Sequence, residues 1–553
     1  MQNALNDKYH EIIQKPHKYP IESKWIAPTD SHGIKYISFL GSTGYADAAK
    51  NYIRSLVELG IYVSFEPLRC HGGKSGDLLS ADDLVLAICL NNSHIQYDTV
   101  IIHAVPHYWK DIADKERAIN SSVKIFGLTV WETDRVYPKW LNIINNINLD
   151  GLIVPSNWNK KIFEDSAKTQ ALIQFPPVHA CHHVIIDRPV APNLIRTQLY
   201  GDNIKVAFLC IGTWTPRKGI SETVEAYLQA FEGQSDVILY LKTNSGSYSK
   251  QDGLALKQRL IKIMNNYKNP PQIILDTELR SDDYIEALTE HCDVYLSLCN
   301  SEGVGLGACS AALKGKIIVM TGYGGQTEYI QNACWIEYKL GIVQVPPNFA
   351  EWIRPPQRWA YPNLNHAIQS LQNVHENLKS YKREAMANRD SILNNFSYSA
   401  IGRKLISIIK VGGHKNLKFD EQKPLKLSEP KTLKSCQPKT LKSGEQRKLE
   451  VDNQKSLKLD DLKLSYKWKP STPISSESES DSEIDHRSES PKISSASSDD
   501  NVTLSENDLS RKKGKSKREK HSKEYRQLTK ERHRLRRQRH LERRLYREKG
   551  LIN

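Results

Sequence analysis

Apolar, strand-like runs alternate with helical stretches twice over in the first 411 residues, and the alternation then stops. Lys35–Leu40 is the first run, and the small turn Gly41-Ser42-Thr43-Gly44 follows it. The next stretch places Ala46, Ala49, Ile53, Leu56 and Val57 close to a 3.6-residue period, and Gly60 ends it. Ile61–Phe65, Asp98–His103, Val123–Val130 and Gly151–Val154 predict further strands, with helices over Pro138–Ile147 and Trp158–Ser166. Strands separated by helices imply a parallel sheet covered on both faces. The pattern restarts near Asn203: Lys205–Ile211, Val237–Leu241, Gln272–Asp276, Val294–Leu298 and Ile317–Met320 predict strands, and Gly219–Phe231 a helix. Phe175–Arg196, with four prolines and little periodicity, predicts a linker. The expectation is α/β: an N-terminal extension over 1–33, a doubly wound half over 34–197 including the linker, and a second over 198–411. Two such halves on a hinge leave a cleft at the carboxyl ends of their strands.

Beyond residue 412 Lys, Ser, Glu and Arg dominate, with a degenerate repeat at Lys423–Leu427, Pro430–Ser435, Pro438–Ser443 and Lys455–Leu459. Such a segment buries too little apolar area to offset chain entropy, so disorder is expected over 412–553. The formal charge of +15 belongs mostly to its end, where 511–549 holds nineteen Lys and Arg against five acids. That stretch suits an acidic protein, RNA or an anionic membrane surface, and a coiled coil is possible there. Its only aromatic residues are Tyr525 and Tyr546, which argues against base stacking. The acidic run Ser475–Asp485 offers the same stretch a partner within the chain. Nine scattered cysteines with no CxxC pair predict free buried thiols in a reducing compartment. With no signal-like start and no apolar run of about 18 residues, the expectation is cytoplasmic, with attachment to a membrane surface still open.

The chemistry concentrates in two stretches. In Cys299–Ile330 an acid, Glu302, follows a buried strand. Gly303, Gly305 and Gly307 then lead into a helix starting near Leu306, and Gly322-Tyr323-Gly324-Gly325 opens another. Glycines admit a ligand close to the backbone, and helix N-termini favour anions such as a diphosphate. The second stretch is Gly212–Gly219, where Arg217 and Lys218 stand at a strand end beside a helix start. Two fixed cations there can neutralise a leaving diphosphate.

Glu302-Gly303, Gly305-Leu306 and Gly324-Gly325 with Glu328 resemble the donor-binding signature of group-one, glycogen-synthase-like GT-B retaining glycosyltransferases. Thr213–Gly219 is similar to their basic loop, and Gly41–Tyr45 to their N-terminal glycine turn. Trp131–Arg135 and Val154–Asn159 resemble segments of one branch of that superfamily. The resemblance covers about Lys35 to Ile409, and its combination of motifs is more specific than any one of them.

It implies a GT-B fold, two Rossmann-like halves facing a cleft, and transfer of a sugar from a nucleotide-sugar donor to a glycan, protein or lipid acceptor with retention. Arg217 and Lys218 would hold the donor diphosphate. Glu302 would contact the transferred sugar, helped by Gly303 and the amides of Val304, Gly305 and Leu306. Gly324 and Gly325 would complete the donor cradle, and Gly44 would face the phosphates from the other half. Trp131, Glu132 and His103 would lie on the acceptor side, with His107 near the same strand end. The donor phosphate itself would take the acceptor proton. No cofactor or catalytic metal is expected, and His179-Ala180-Cys181-His182-His183 fits no ordinary zinc spacing. One position departs from the family: the second acid of its E-x7-E motif is Ser310 here. A neutral, shorter partner for the ribose leaves a rival reading, a catalytically inactive carbohydrate or nucleotide binder of the same fold with a basic tail.

Overall fold

In the computed structural model the described residues are 26–410, apart from 41–42, 69–83, 189, 191–193 and 348, together with Lys431–Thr432. The chain divides into two compact units, and the second, Gln446–Asn553, lies wholly outside the described residues. The basic stretch 511–549 therefore receives no structural account.

The first half runs β1 (His32–Phe39), α1 (Gly44–Glu58), β2 (Val63–Leu68), α2 (Leu84–Asn91), β3 (Gln96–His103), α3 (Trp109–Ile119), β4 (Lys124–Leu128), α4 (Pro138–Asn146), β5 (Gly151–Val154), α5 (Asn157–Thr169) and β6 (Val178–Ala180). Its six strands are all parallel, in the order β2-β1-β3-β4-β5-β6. β1 is buried on both faces from Ile34 to Phe39, as a central parallel strand must be. β6 falls inside the expected linker. Pairing to β5 overrides its proline-rich, aperiodic surroundings.

The second half continues α6 (Arg196–Tyr200), β7 (Val206–Thr213), α7 (Ile220–Ala230), β8 (Val237–Asn244), α8 (Lys250–Met264), β9 (Gln272–Asp276), α9 (Asp282–His291), β10 (Val294–Ser297), α10 (Leu306–Leu313), β11 (Ile317–Thr321), α11 (Gln326–Tyr329) and β12 (Asn332–Ile336). An antiparallel hairpin, β13 (Tyr338–Ile342) with β14 (Arg358–Pro362), stands apart from the sheet. Four helices follow: α12 (Leu364–Glu376), α13 (Leu378–Ala385), α14 (Ala387–Asn395) and α15 (Tyr398–Ile409). The parallel sheet has the order β15-β12-β11-β10-β7-β8-β9, where β15 is Lys431–Thr432. That short strand lies within the stretch expected to be disordered. The unpaired edge of β12 takes it up at Asn332 and Ala333.

α15 does not stay with the second half. Its Ile401 and Leu405 join the same buried core as Tyr52, Ile53 and Leu56 of α1. The Tyr398 hydroxyl bonds Asn51 Oδ1 at 3.1 Å, and a side chain on Gly402 would strike the Ser55 carbonyl. Two doubly wound sheets, with the last helix crossing back to the first, make the GT-B architecture.

Six described cysteines are free and buried: Cys89, Cys181, Cys210, Cys292, Cys299 and Cys309. Those six match the expectation of free buried thiols, and Cys334, which is disulfide-bonded, departs from it; isolated spacings carry no pairing information. Among the described residues no helix is long and apolar enough to cross a membrane.

Candidate active site

The turn after β7 brings Arg217 and Lys218 against the loop after β10. Pro216–Lys218 forms one 3-10 turn, held there by Asn300, whose backbone N–H donates to the Arg217 carbonyl at 2.8 Å. The Asn300 side-chain amide donates to the Pro216 carbonyl, also at 2.8 Å. From this seat Arg217 donates to the Ser301 carbonyl at 2.9 Å and to Glu302 Oε2 at 3.0 Å. The Lys218 ammonium takes the other oxygen of Glu302. Arg217 also pairs with Glu132 Oε1 at 3.0 Å, and Glu132 comes from the other half, just beyond β4. Two cations and two carboxylates thus meet between the halves.

The two acids are not equivalent. Burial works to raise the Glu302 carboxyl, but Lys218 and Arg217 outweigh it and hold the group below its ordinary value. Glu132 is shifted up, first by burial and then by the charge of Glu302, with Arg217 offsetting only part. The Arg217 guanidinium is held charged by the two acids against the cost of its burial.

The glycines bring backbone to backbone. Glu302 and Gly324 form an isolated parallel bridge, and the Gly325 N–H donates to the Glu302 carbonyl at 2.9 Å. A Cβ on Gly325 would overlap the Gly303 carbonyl oxygen, and one on Gly303 would overlap the Val130 side chain of the first half. Val304 is buried, and Gly305 is the N-cap of α10, whose first residue is Leu306. Ser310 sits half-buried on the same helix. Gly44 is the first residue of α1, and a Cβ there would meet nothing within 4 Å among the described residues. Around the loop, Asn300 Oδ1, Ser301 Oγ, Thr321 Oγ1 and Gln326 Oε1 are buried without a hydrogen-bond partner among the described residues. Buried polar atoms are rarely left so.

Two expected residues do not join the cluster. His103 is 2% exposed, with the rings of Tyr36, Tyr45, Tyr52 and His183 around it and Nδ1 2.8 Å from the Tyr36 hydroxyl. Burial, and then His183, push its pKa well down, so it is a neutral, structural histidine at ordinary pH. Trp131 is buried too. Its indole N–H donates to Thr133 Oγ1 and to the Arg135 carbonyl, each at 2.8 Å, which fixes the turn that presents Glu132.

Sequence reasoning missed three contacts between the halves. Asp134 grips the hairpin: its carboxylate accepts from the Arg358 N–H at 2.6 Å and from Nε at 2.8 Å, and its own N–H donates to the Arg358 carbonyl at 2.9 Å. The loop between β13 and β14 lays Trp352 beside Trp140 and His107, with ring centroids 6.1 and 6.0 Å apart. Glu328 accepts from the Asn157 and Trp158 N–H groups at 2.9 and 2.6 Å, at the start of α5, and lies 3.0 Å from His182 Nε2. The available signal was the pairing of acids in Trp131–Arg135, whose partners lie more than 80 residues away.

Burial acts to raise the Glu328 carboxyl. The bond to His182 and the α5 amides outweigh it, so its pKa lies below the ordinary 4.5. A depressed carboxylate contributes stability that is present above 4.5 and lost as pH falls through its lower folded value. Glu328→Gln should therefore cost roughly 1.5–3 kcal/mol at neutral pH. The difference from wild type should vanish in acid, as read by urea denaturation against pH. A pH-independent difference would contradict this.

No protein-family description matches the chain, and no curated protein matches it. Among solved structures it is similar to Anabaena HepE in complex with UDP and glucose, at 14% identity over 68% of this chain and 100% of that one, with a TM-score of 0.45. It is similar to sucrose-phosphate synthase from Thermosynechococcus elongatus at 14% identity, over 69% and 98% of the two chains, with a TM-score of 0.47. The E. coli trehalose-6-phosphate structure bound with UDP-2-fluoro glucose gives 13% identity, 69% and 99% coverage and a TM-score of 0.47.

Proposed function

We propose that this protein is a glycosyltransferase that moves a sugar from a nucleotide-diphosphate donor to an acceptor in the gap between the two halves. The observation that carries this reading is the cluster of Arg217, Lys218, Glu302 and Glu132 between the ends of β7, β10 and β4. In doubly wound sheets ligands bind outside the carboxyl ends of the strands. Breaking the bond between sugar and diphosphate leaves negative charge on the phosphate. Arg217 and Lys218 stand fixed to receive it, and preorganised charge of this kind lowers the barrier with no reorganisation during the step. Glu302 then has a second use. Once the cations turn to phosphate, its carboxylate is free to accept hydrogen bonds from sugar hydroxyls. The amides of Gly303 to Leu306 and the Gly324-Gly325 turn supply the nearby backbone groups, and Gly44, at the start of α1, would face the phosphates from the other half.

The reaction needs a proton acceptor for the incoming hydroxyl. Before a donor binds, Glu132 is engaged by Arg217 and Glu302 by both cations. The resemblance implies that the departing phosphate takes the proton, in a transfer with retention. UDP and glucose are the ligands named for HepE and UDP-2-fluoro glucose for the E. coli structure; a nucleotide sugar is proposed for this chain on the site's chemistry alone.

A thermal-shift screen of the full chain against nucleotide sugars tests the reading. A ligand at a hundred times its Kd should add about 2.7 kcal/mol of stability, and a selective shift names the donor. Turnover of that donor then separates an enzyme from a silent binder. No selective shift, or equal shifts in wild type and Arg217→Ala, would end the proposal.

A further inference from the structure

We propose a second ligand site, outside the gap between the halves: a pocket at the amino ends of β10 and β11 that binds a small phosphate monoester. Glu302 and Gly324 follow the carboxyl ends of the same two strands, so the pocket shares no residue with the charge cluster.

The pocket has a volume of about 430 Å³, enough for a metabolite-sized ligand. Cys292, Gly315 and Met386 give it an apolar lining. Cys292 is buried, whereas Met386 is 53% exposed, and its flexible thioether adapts to whatever it covers. The cations Arg196, Lys316, Lys382 and Arg383 stand around this lining.

These four cations meet only two acids of the pocket wall. Asp293 takes Arg196 on Oδ2 at 2.6 Å and Lys382 on Oδ1 at 2.5 Å. It is buried and also accepts from the Ala207 N–H at 2.8 Å, so it is fixed in place. Glu290 takes Lys316 at 3.5 Å. Arg383 is exposed and makes no ion pair among the described residues. Lys314 lines the pocket as well, but Glu286 and Asp187 neutralise it from outside the lining, at 3.2 Å each. Four cations against two acids leave a formal charge of +2. A phosphate monoester carries about −1.5 to −2 at pH 7, with three strong acceptor oxygens. It would complete this wall without displacing an acid, because Lys382 keeps N–H donors beyond the one that Asp293 takes. The apolar lining would cover the body of the ester.

The walls come from both connections between the halves. Arg196 opens α6, at the end of the chain that leaves β6. Lys382 and Arg383 lie in the last turn of α13, and Met386 leads into α14 and so to α15. Asp187, within the first connection, also pairs with Arg389 of α14 at 2.8 Å. A phosphate shared by Arg196 and Arg383 would tie one connection to the other. That is the place for a regulator rather than for a substrate.

Isothermal titration of the full chain with phenyl phosphate, beside orthophosphate, tests this. Wild type should bind phenyl phosphate about fivefold or more tighter than orthophosphate, through burial of the ring. Arg383→Ala should weaken both by about fivefold or more, and Met386→Ser should weaken phenyl phosphate alone. Arg217→Ala should change neither affinity, since that residue belongs to the gap. In wild type, phenyl phosphate should slow hydrogen exchange over 194–200 and 378–389. Failure to bind phenyl phosphate overturns the inference, as does unchanged affinity in Arg383→Ala. Affinity lost in Arg217→Ala, with slowed exchange confined to 212–219 and 299–306, overturns it too by placing the probe in the gap.

Discussion

Arg217→Ala should lower turnover of the nucleotide sugar by on the order of 10²–10³-fold, the usual cost of removing one preorganised group that meets developing charge. The effect should fall on kcat and on donor affinity together, because this guanidinium holds both Glu302 and Glu132 before any ligand arrives. Stability should change far less. Glu302 keeps Lys218, and Glu132 is partly open to solvent, so the loss should stay within about 2 kcal/mol. Arg217→Lys makes a sharper comparison. It keeps the charge but loses the length and rigid plane that set one guanidinium nitrogen against three acceptors, so an intermediate rate is expected. Steady-state kinetics with the donor found in the thermal-shift screen, beside thermal unfolding of each variant, reads both quantities. A variant that unfolds early yet turns over normally per folded molecule would contradict the assignment.

Gly325→Ala should abolish donor binding and destabilise the fold by at least the 1–3 kcal/mol typical of overpacking. The added methyl would overlap the Gly303 carbonyl oxygen, which is backbone and has no rotamer to escape into. Gly303 in turn lies against Val130 of the first half, so the strain passes into the contact between the halves. The Gly325 N–H bond to Glu302 is the first to suffer, and Glu302 anchors the charge cluster. Thermal unfolding and titration with the donor measure the two effects. Normal stability with normal binding would show that the two glycine turns are not packed as described.

Much of this fold was legible in the sequence, for physical reasons that differ by element. The buried parallel strands read as near-continuous apolar runs, and Gly151–Val154 matches expectation to the residue, as does the half-exposed edge strand Gln272–Asp276. β6 was hidden, because three residues after a pair of prolines carry too little pattern. The β13–β14 hairpin was hidden for another reason: Tyr338, Leu340 and Ile342 are exposed on one face, so no buried periodicity announces it. At the site, glycines and cations at strand ends were visible because their chemistry is local. The roles of Asp134 and Glu328 were not, since each acts on a partner more than 150 residues away. His103 was placed on the acceptor side from its position at the end of β3, but the rings around it come from β1, from α1 and from His183.

The return of α15 to α1 has a mechanical consequence. The halves are joined twice, once by the chain between β6 and α6 and once by this final helix. A body tethered at one point can tumble in any direction. One tethered at two is left chiefly with rotation about the line through both. Any widening of the gap should therefore resemble a jaw swinging on a fixed axle, with Arg217 and Glu132 parting along an arc rather than drifting sideways.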